Sequence, residues 1–592
     1  MALLTRKEVD PANTWNFSDI FADDAAWEAA YAEAEAALAG ISLLEGTLGQ
    51  SAASLKAALD TVYAANEKAE LVYVYAMLRK NVDNGDPVYQ KMQGRAMNLI
   101  VRCSTECAFL DPEILSIEAD TLHAYMEDPI LAGYRHILED TDRQRAYTKD
   151  AATERMLAML SDAAGATSNA FDMLESVDMT FPDIVGEDGK PATLSHGSFG
   201  VYRESGDSRV RRESFETYFG EFHKYINTFA AMYEGSVKMD NFYTRVRGFS
   251  SACERALFSN NAPVSVYDRL VEAIHGGLPT MYRYLALRRR VLGLEELNMY
   301  DLYCPMIKSV HMSVSFEEAK ELVLKATEPL GEEYQALLHR AFDERWIDVY
   351  ENKGKTTGAY SCGVHGVHPY VLLNYSGKLD DVFTLAHELG HAMHSYFSSR
   401  EQDYANHNYR IMVAEVASTV NEVLLTKYLL SVETDPDKRA YILNHYLEGF
   451  RTTVFRQTLF AEFERQAHDA AMQGAPLTAE TLNDIYRKLN ELYYKGAVVN
   501  ELQAIEWARI PHFYNAFYVY QYATGFCSAV TIADNILNHG GRDAYLKFLS
   551  TGGSDYPLEE LKIAGVDLTK PDAVATALRQ FDEALTEFEA LF

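Results

Sequence analysis

Apolar residues recur at spacings of three and four along most of the chain, which predicts a mainly α protein. Gly40 follows one such run as a natural stop, and Pro87 stands just inside the start of another. The clearest predicted helices are 23–38, 54–80, 87–109, 142–160, 208–239, 456–472, 482–494 and 570–592. Linkers rich in Pro, Gly and Ser are absent from the sequence, so we expect lobes that pack together.

Two stretches with strand-like patterns interrupt the helices. Residues 179–185 and 191–195 flank the turn Glu187-Asp188-Gly189-Lys190, which predicts a β-hairpin. Residues 369–374 read as a strand, and Pro369 restricts it to a sheet edge or to a strand start. We therefore expect small β elements within the helical body.

The amino-acid composition restricts which partners the protein can bind and in which cellular compartment we expect it. The net charge of −32 argues against nucleic acid and anionic membranes as partners; it fits cationic peptides, although solubility explains it equally well. The 592 residues contain six cysteines and no C-x-x-C pair, as expected in a reducing compartment. The first ten residues lack the apolar core of a signal peptide, and no apolar run is long enough to span a bilayer. We expect a cytoplasmic protein.

The candidate chemistry lies in His387-Glu388-Leu389-Gly390-His391, within an apolar helical pattern. Two histidines four residues apart project from one helix face and suit two ligands of a tetrahedral zinc ion. Glu388 lies next to them, where its carboxylate can take a proton from water and later hand it to a leaving amine. The alternative is an amphipathic helix with two half-buried histidines. The position for a third histidine six residues after the second holds Phe397, which excludes the metzincin pattern.

A third ligand must come from further along the chain. The candidates are Glu401 and His407, in a polar loop, and Glu415 and Glu422, in an apolar helix. We choose Glu415, because a carboxylate in an apolar setting is costly unless it is paired or coordinated. Glu422 is either a partner that orients a ligating histidine or a solvated helix residue. His394 is interpreted as structural, because a fourth protein ligand would close the catalytic position.

These motifs resemble a known family. The stretches 387–394 and 414–418 are similar to the oligopeptidases of the thimet oligopeptidase (M3) family of zinc metallopeptidases, and most similar to oligoendopeptidase F. The resemblance extends to 363–370 and 510–525 and covers nearly the whole chain. It implies one Zn²⁺ ion, oligopeptide substrates, a monomer or homodimer, and two helical lobes that enclose a deep channel.

The resemblance also implies roles outside the metal site. His512, Tyr518 and Tyr522 match the family's histidine and tyrosines that face the zinc and stabilise the oxyanion, although a row of tyrosines is more often part of a core. We expect Tyr518 and Tyr522 to share a helix face from which Tyr520 points away. In the alternative alignment, Phe517 occupies the place of the first tyrosine and its role is lost.

The strand at 369–374 would pair with substrate backbone at a sheet edge beside the zinc, as the resemblance implies. His365 and His368 are either substrate contacts or structural residues. We expect an N-terminal helical region at 1–110, a second helical lobe with the hairpin at 111–195, and a catalytic metallopeptidase domain at 196–592.

The prediction is a zinc-dependent endopeptidase that hydrolyses internal bonds of short unfolded peptides. One alternative is a zinc carboxypeptidase. The other is a peptide-binding scaffold with a structural zinc, which would not need the general base Glu388.

Overall fold

The computed structural model describes residues 3–307 and 313–592, and helix predominates in it. It is 71% helical, which confirms the predicted mainly α class. The helices are α1 Asp24–Leu38, α2 Ala52–Asn81, α3 Pro87–Glu106, α4 Leu110–Ser116, α5 Ala119–Met126, α6 Arg135–Arg143, α7 Ala151–Ala164, α8 Ala166–Met173, α9 His196–Arg203, α10 Ser208–Lys224, α11 Ile226–Arg247, α12 Ala252–Phe258, α13 Val264–Val291, α14 Phe316–Thr327, α15 Glu332–Asp343, α16 Leu379–Glu401, α17 Ile411–Val432, α18 Pro436–Gly449, α19 Arg456–Met472, α20 Ala479–Tyr493, α21 Tyr520–Asn538, α22 Arg542–Leu549, α23 Pro557–Ile563 and α24 Asp572–Glu589. None of these helices combines the length and apolarity that a membrane crossing requires.

The strands are short and form three small sheets. They are β1 Ile184–Val185, β2 Pro191–Ala192, β3 Leu297–Asn298, β4 Ile347–Asp348, β5 Tyr360–Cys362, β6 Tyr370–Leu372 and β7 Ala497–Val498. Strands β1 and β2 pair antiparallel, which confirms the predicted hairpin. Strands β3 and β7 pair parallel, and the third sheet has the order β4-β6-β5.

The strand predicted at 369–374 is β6, but it lies at the centre of its sheet. It pairs parallel with β4 on one side and antiparallel with β5 on the other. Pro369 lacks an N–H and stands directly before the first paired residue, so the strand-start alternative holds. The expectation that this strand offers a free edge to substrate is wrong, because neighbouring strands occupy both of its sides. Strand β5 is an outer strand of this sheet and contacts α16.

The single helix predicted at 142–160 is also wrong. Helix α6 ends at Arg143, a 3₁₀ turn follows, and α7 begins only after Asp150. The Asp150 side chain caps α7 by accepting hydrogen bonds from the first backbone N–H groups. Between the helices, the ring of Tyr147 stacks on Phe249 with 3.8 Å between ring centroids. A cap and an aromatic contact distant in sequence thus override the helical periodicity.

Residue contacts divide the chain into two compact units, each assembled from separate stretches. Unit 1 comprises Met1–Ala146, His311–Tyr428 and Ile532–Val566, and unit 2 comprises Tyr147–Val310, Leu429–Thr531 and Asp567–Phe592. The three consecutive regions predicted from the sequence group the chain differently and stay a prediction.

The N-terminal segment and the sheet of β4, β5 and β6 form one core of unit 1. The Trp15 indole N–H is shared between the backbone oxygens of Trp346 and Val371, at 3.0 and 2.9 Å. Tyr370 packs its ring edge-on against Trp15. Helix α16 in turn packs on β5, α14 and α22. The sheet and these helices fix the position of α16 within unit 1.

Candidate active site

Helix α16 carries the histidine motif in the interior of unit 1. Its apolar face, which includes Leu385 and Leu389, is fully buried. His387 and His391 lie one turn apart on another face, with 4.8 Å between ring centroids. The helical spacing predicted for the motif therefore brings the two imidazoles together.

Helix α17 crosses α16 at very close range, and Gly390 permits this. A Cβ atom at Gly390 would lie 2.5 Å from the backbone oxygen of Ala417 and 2.6 Å from Cα of Ser418. The Asn421 amide also donates a hydrogen bond to the backbone oxygen of Ala386, at 3.1 Å. Sequence reasoning missed Gly390; its place inside the motif, between two helix-forming stretches, was the available signal.

This helix crossing places Glu415 beside both histidines. Oε2 of Glu415 lies 3.4 Å from Nε2 of His387 and 3.5 Å from Nε2 of His391, and the two Nε2 atoms are 3.2 Å apart. Two ligands about 2.1 Å from a tetrahedral zinc ion are themselves separated by about 3.4 Å. The three atoms therefore already have the spacing of three corners of a zinc tetrahedron, and together they form a group able to hold a metal ion.

Carboxylates surround the histidines and set their protonation. Oε1 of Glu422 lies 2.5 Å from Nδ1 of His387, the ring nitrogen turned away from the other ligand atoms. Burial alone would lower the pKa of His387, but the hydrogen bond and charge of Glu422 raise it to about 9. The hydrogen bond from His391 lowers the pKa of Glu415 to about 2, and the Ser418 hydroxyl also donates to this carboxylate. Carboxylates thus concentrate negative charge around the two histidines, and Glu422 contacts His387, which agrees with the first of the two alternatives for this residue.

Glu388 is buried next to this candidate metal group but is not part of it. The residue is only 6% exposed, and its Oε2 has no hydrogen-bond partner among the described residues. Burial raises the pKa of Glu388, whereas the neighbouring His387 and His391 lower it. A carboxylate oxygen without a partner, beside a candidate metal-binding group, is suited to exchange a proton with a reactant.

The other candidate ligands have partners elsewhere in unit 1. Glu401 is exposed and pairs with Arg400. His407 is buried, and its Nδ1 lies 2.6 Å from the backbone oxygen of Tyr404. His394 stacks on Tyr409 at 3.6 Å between ring centroids, and burial lowers its pKa to about 3. The structure therefore brings Glu415, and none of these three, to the paired histidines.

The histidine pair before the motif helix also has structural partners. His365 contacts Glu67 through Nδ1 and the backbone oxygen of Gln402 through Nε2. His368 stacks on Trp346 and contacts Asp19. These contacts favour the structural alternative for both residues.

His512, Tyr518 and Tyr522 form a cluster within unit 2. The Tyr522 hydroxyl lies 3.4 Å from Nε2 of His512, and the rings of Tyr518 and Tyr522 meet edge to face at 5.4 Å. The rings of His512 and Tyr518 lie 6.3 Å apart. The three predicted residues are thus neighbours, and their catalytic role stays a prediction.

The helical register predicted for Tyr518 is wrong, because α21 begins only at Tyr520. Phe517 instead adopts a left-handed conformation with φ of 61°, and its N–H donates to Oε1 of the fully buried Glu464 at 3.1 Å. This turn directs Tyr518 towards the cluster. Tyr520 is buried and packs against Tyr267, so it does point away, as expected.

Comparison with known proteins places this site in a family. The model of peptidase family M3 matches residues 201–580, and the oligopeptidase F model matches residues 113–181. Oligopeptidase PepF of Bacillus subtilis is 44% identical over 99% of this chain and 88% of its own length. Group B oligopeptidase PepB of Streptococcus agalactiae is 39% identical over 99% of this chain and 98% of its own.

The solved structures that resemble this chain include peptidases, as its sequence relatives do. A Chlamydophila abortus protein matches with a TM-score of 0.93 and 33% identity over the full length of both chains. Oligoendopeptidase-F from Enterococcus faecium matches with a TM-score of 0.74 and 38% identity over 96% of this chain and 99% of its own. The chain therefore belongs to peptidase family M3, which confirms the resemblance to oligoendopeptidase F and the prediction of a metalloendopeptidase of that type.

Proposed function

We propose that this chain is a zinc-dependent endopeptidase that hydrolyses internal bonds of short, unfolded peptides in the cytoplasm. The observation that carries the proposal is the spacing of 3.2 to 3.5 Å between the three ligand atoms of His387, His391 and Glu415. The buried carboxylate of Glu388, adjacent in sequence to the first ligand, supplies the general base that a purely structural metal site would not need.

His387 and His391 would hold the zinc through Nε2, and Glu415 through one carboxylate oxygen. When bound, zinc acts as a Lewis acid on a peptide carbonyl and lowers the pKa of water to about 7. Glu422 keeps the Nδ1 proton of His387 in place, so that Nε2 presents its lone pair. Ser418 fixes the rotamer of Glu415 through its hydroxyl.

Glu388 performs the proton transfers. Its carboxylate accepts the proton released as water attacks the peptide carbonyl carbon, and then donates this proton to the nitrogen of the departing amine. Because Oε2 has no hydrogen-bond partner among the described residues, no protein contact has to break before the transfer. The burial of Glu388 raises its affinity for the proton it must hold between the two steps.

The remaining roles rest on the resemblance to the family. His512, Tyr518 and Tyr522 would donate hydrogen bonds to the oxyanion of the tetrahedral intermediate. Strand β5, rather than β6, would pair with the backbone of the substrate, since it is an outer strand and contacts the motif helix α16. Recognition through backbone hydrogen bonds suits extended peptides of varied sequence.

The experiment that tests the proposal is mass spectrometry of the products formed from a mixed peptide set. Each peptide is offered with a free and with an amidated C-terminus, before and after removal of metal by a chelator and after zinc is restored. We expect internal cleavage of both forms, lost on chelation and restored by zinc. Cleavage restricted to free C-termini would identify a carboxypeptidase instead.

Glu388→Gln separates catalysis from metal binding. We expect it to keep zinc and thermal stability but to lose nearly all turnover, because only the proton carrier is removed. Glu401→Gln, an exposed residue of the same helix, is the matched control and should cleave normally. Turnover by Glu388→Gln close to that of the parent would refute the assigned mechanism.

Substrate size gives a separate test. The channel implied by the resemblance would admit unfolded chains and exclude folded ones. Offered at equal molarity, unfolded peptides should be consumed while a stable globular protein remains intact. Efficient cleavage of the folded protein under native conditions would contradict the proposed substrate class.

A further inference from the structure

Unit 2 contains a small cavity lined by three arginines and only one carboxylate. Its volume is about 20 Å³, which exceeds the minimum that an ordered water needs. The charged side chains that line it are Arg203, Arg451, Arg456 and Glu506. Tyr303 and Tyr494 also line it.

Two guanidinium nitrogens of arginines that line this cavity lack a hydrogen-bond partner among the described residues. Nη1 of Arg451 and Nε of Arg203 are buried, and neither donates a hydrogen bond to an acceptor among the described residues. Arg451 itself is 1% exposed, and its other nitrogens donate to Glu448. Arg203 forms no ion pair in the described part of the chain. Leaving buried charged donors without an acceptor costs free energy, so we expect the cavity to hold a hydrogen-bond acceptor.

The charges around the cavity do not balance. Glu448 is shared between Arg288 and Arg451, at 3.1 Å in the first case and by a bidentate contact in the second. Glu506 is shared between Arg456, at 2.6 Å, and Arg509, at 3.6 Å. Two carboxylates thus serve four arginines, and Arg203 adds a further positive charge.

The pKa of Tyr303 reflects the positive electrostatic potential that these arginines create. Guanidinium groups lie over its ring, with Cζ of Arg203 3.9 Å and Cζ of Arg451 4.6 Å from the ring centroid. Burial alone would raise the pKa of Tyr303, but Arg456, Arg451 and Arg203 lower it to about 8. An anion in the cavity would meet this same potential. The net charge of the whole chain is −32, so this excess of positive charge is local.

The donors around the cavity suit a small anion that accepts hydrogen bonds from several sides. The unpartnered donors at the cavity are guanidinium N–H groups of Arg203 and Arg451. A monatomic halide is only slightly larger than water and accepts hydrogen bonds from any direction, which suits guanidinium and phenol donors. We propose that unit 2 binds a chloride ion in this cavity, held by Arg203 and Arg451.

Crystals grown in sodium bromide test the site directly, because bromide replaces chloride and scatters anomalously. We expect an anomalous peak in the cavity within hydrogen-bond distance of Arg203 and Arg451. A cavity that contains water without anomalous signal at saturating bromide would overturn the proposal. The peak should be absent in Arg203→Gln, which removes a guanidinium that has no carboxylate partner and therefore should not unfold the protein.

A thermal titration in solution is the second test of the site. Chloride replaces gluconate at constant ionic strength, so that general screening stays the same. We expect the melting temperature to rise and saturate with chloride, and the half-saturating concentration to increase at least tenfold in Arg203→Gln. Arg247→Gln, which removes an arginine paired with Glu154 elsewhere in unit 2, should titrate like the parent. An unsaturable response, or equal responses in all three proteins, would refute the site.

Neither measurement uses peptide cleavage, so this proposal and the peptidase proposal can fail separately.

Discussion

Replacing Gly390 by alanine should damage the metal site although it touches no ligand. The added Cβ would lie 2.5 Å from the Ala417 oxygen and 2.6 Å from Cα of Ser418, both backbone atoms of α17. A relaxed contact of this kind needs about 3.4 Å or more. Helices α16 and α17 must therefore separate by about 0.8 Å at this point.

That displacement acts directly on Glu415, which lies three residues before Ser418 on α17. In the unaltered protein, Oε2 of Glu415 lies 3.4 Å from Nε2 of His387 and 3.5 Å from Nε2 of His391. Metal–ligand distances tolerate errors of only about 0.2 Å, so a shift of about 0.8 Å opens the group. We expect zinc affinity to fall at least tenfold, as for other changes that disturb ligand orientation. Overpacking should also destabilise the fold by about 1–3 kcal/mol, partly offset by about 1 kcal/mol of improved helix propensity.

Zinc affinity is measured by competition with a chelator, and unfolding free energy by urea titration of the metal-free protein. The matched control is Gly94→Ala, which lies in helix α3 of the same unit and whose Cβ would meet nothing within 4 Å. It should stabilise by about 0.5–1 kcal/mol and leave zinc affinity unchanged. If Gly390→Ala behaves like Gly94→Ala in both measurements, the close approach does not hold the ligand group together.

Three further predictions concern single side chains. Glu415→Ala should weaken zinc binding at least tenfold in the same competition assay, whereas Glu401→Ala should not, because Glu401 is exposed at the end of α16 and is not part of the candidate metal group. Tyr518→Phe should lower kcat by about 10²-fold with little change in KM, and Tyr520→Phe should be nearly neutral; steady-state kinetics in which Tyr520→Phe is the damaging change would refute the assigned roles. Burial raises the pKa of Glu560 to about 8, so the folded state keeps a proton that the unfolded state loses above about pH 4.5, and stability falls as pH rises between these values. Glu560→Gln should therefore stabilise more at pH 8 than at pH 5, by at most about 4 kcal/mol in urea unfolding, and an equal effect at both pH values would contradict this assignment.

Local patterns in the sequence predicted the parts of the site that depend on local geometry. The spacing of His387 and His391 fixes their common face once a helix forms, and the apolar setting of Glu415 singled it out among four candidates. The pairing of Glu422 with His387 follows from the position of Glu422 two turns after Glu415 on the same helix face. Each of these inferences needed only helical periodicity and the cost of burying a charge.

Features set by distant contacts escaped the same reasoning. Gly390 is an ordinary helix residue until α17 is packed against it. The left-handed turn at Phe517 depends on Glu464, more than fifty residues earlier, and nothing in the local sequence specifies a positive φ for phenylalanine. The central place of β6 likewise depends on β4 and β5, whose short patterns carry little periodicity. In each case the deciding partner is remote in sequence.

Each unit consists of stretches that are separated in sequence, so the order of synthesis determines when each unit can be completed. Every ligand of the candidate metal group lies between His311 and Tyr428, yet unit 1 also requires Ile532–Val566. Within that late stretch, Phe548 packs against His394 of the motif helix. Unit 2 likewise waits for Asp567–Phe592, where Phe581 packs against Phe450. A ribosome-bound chain thus carries its candidate metal ligands before either unit can close its core, a state in which apolar surface stays exposed.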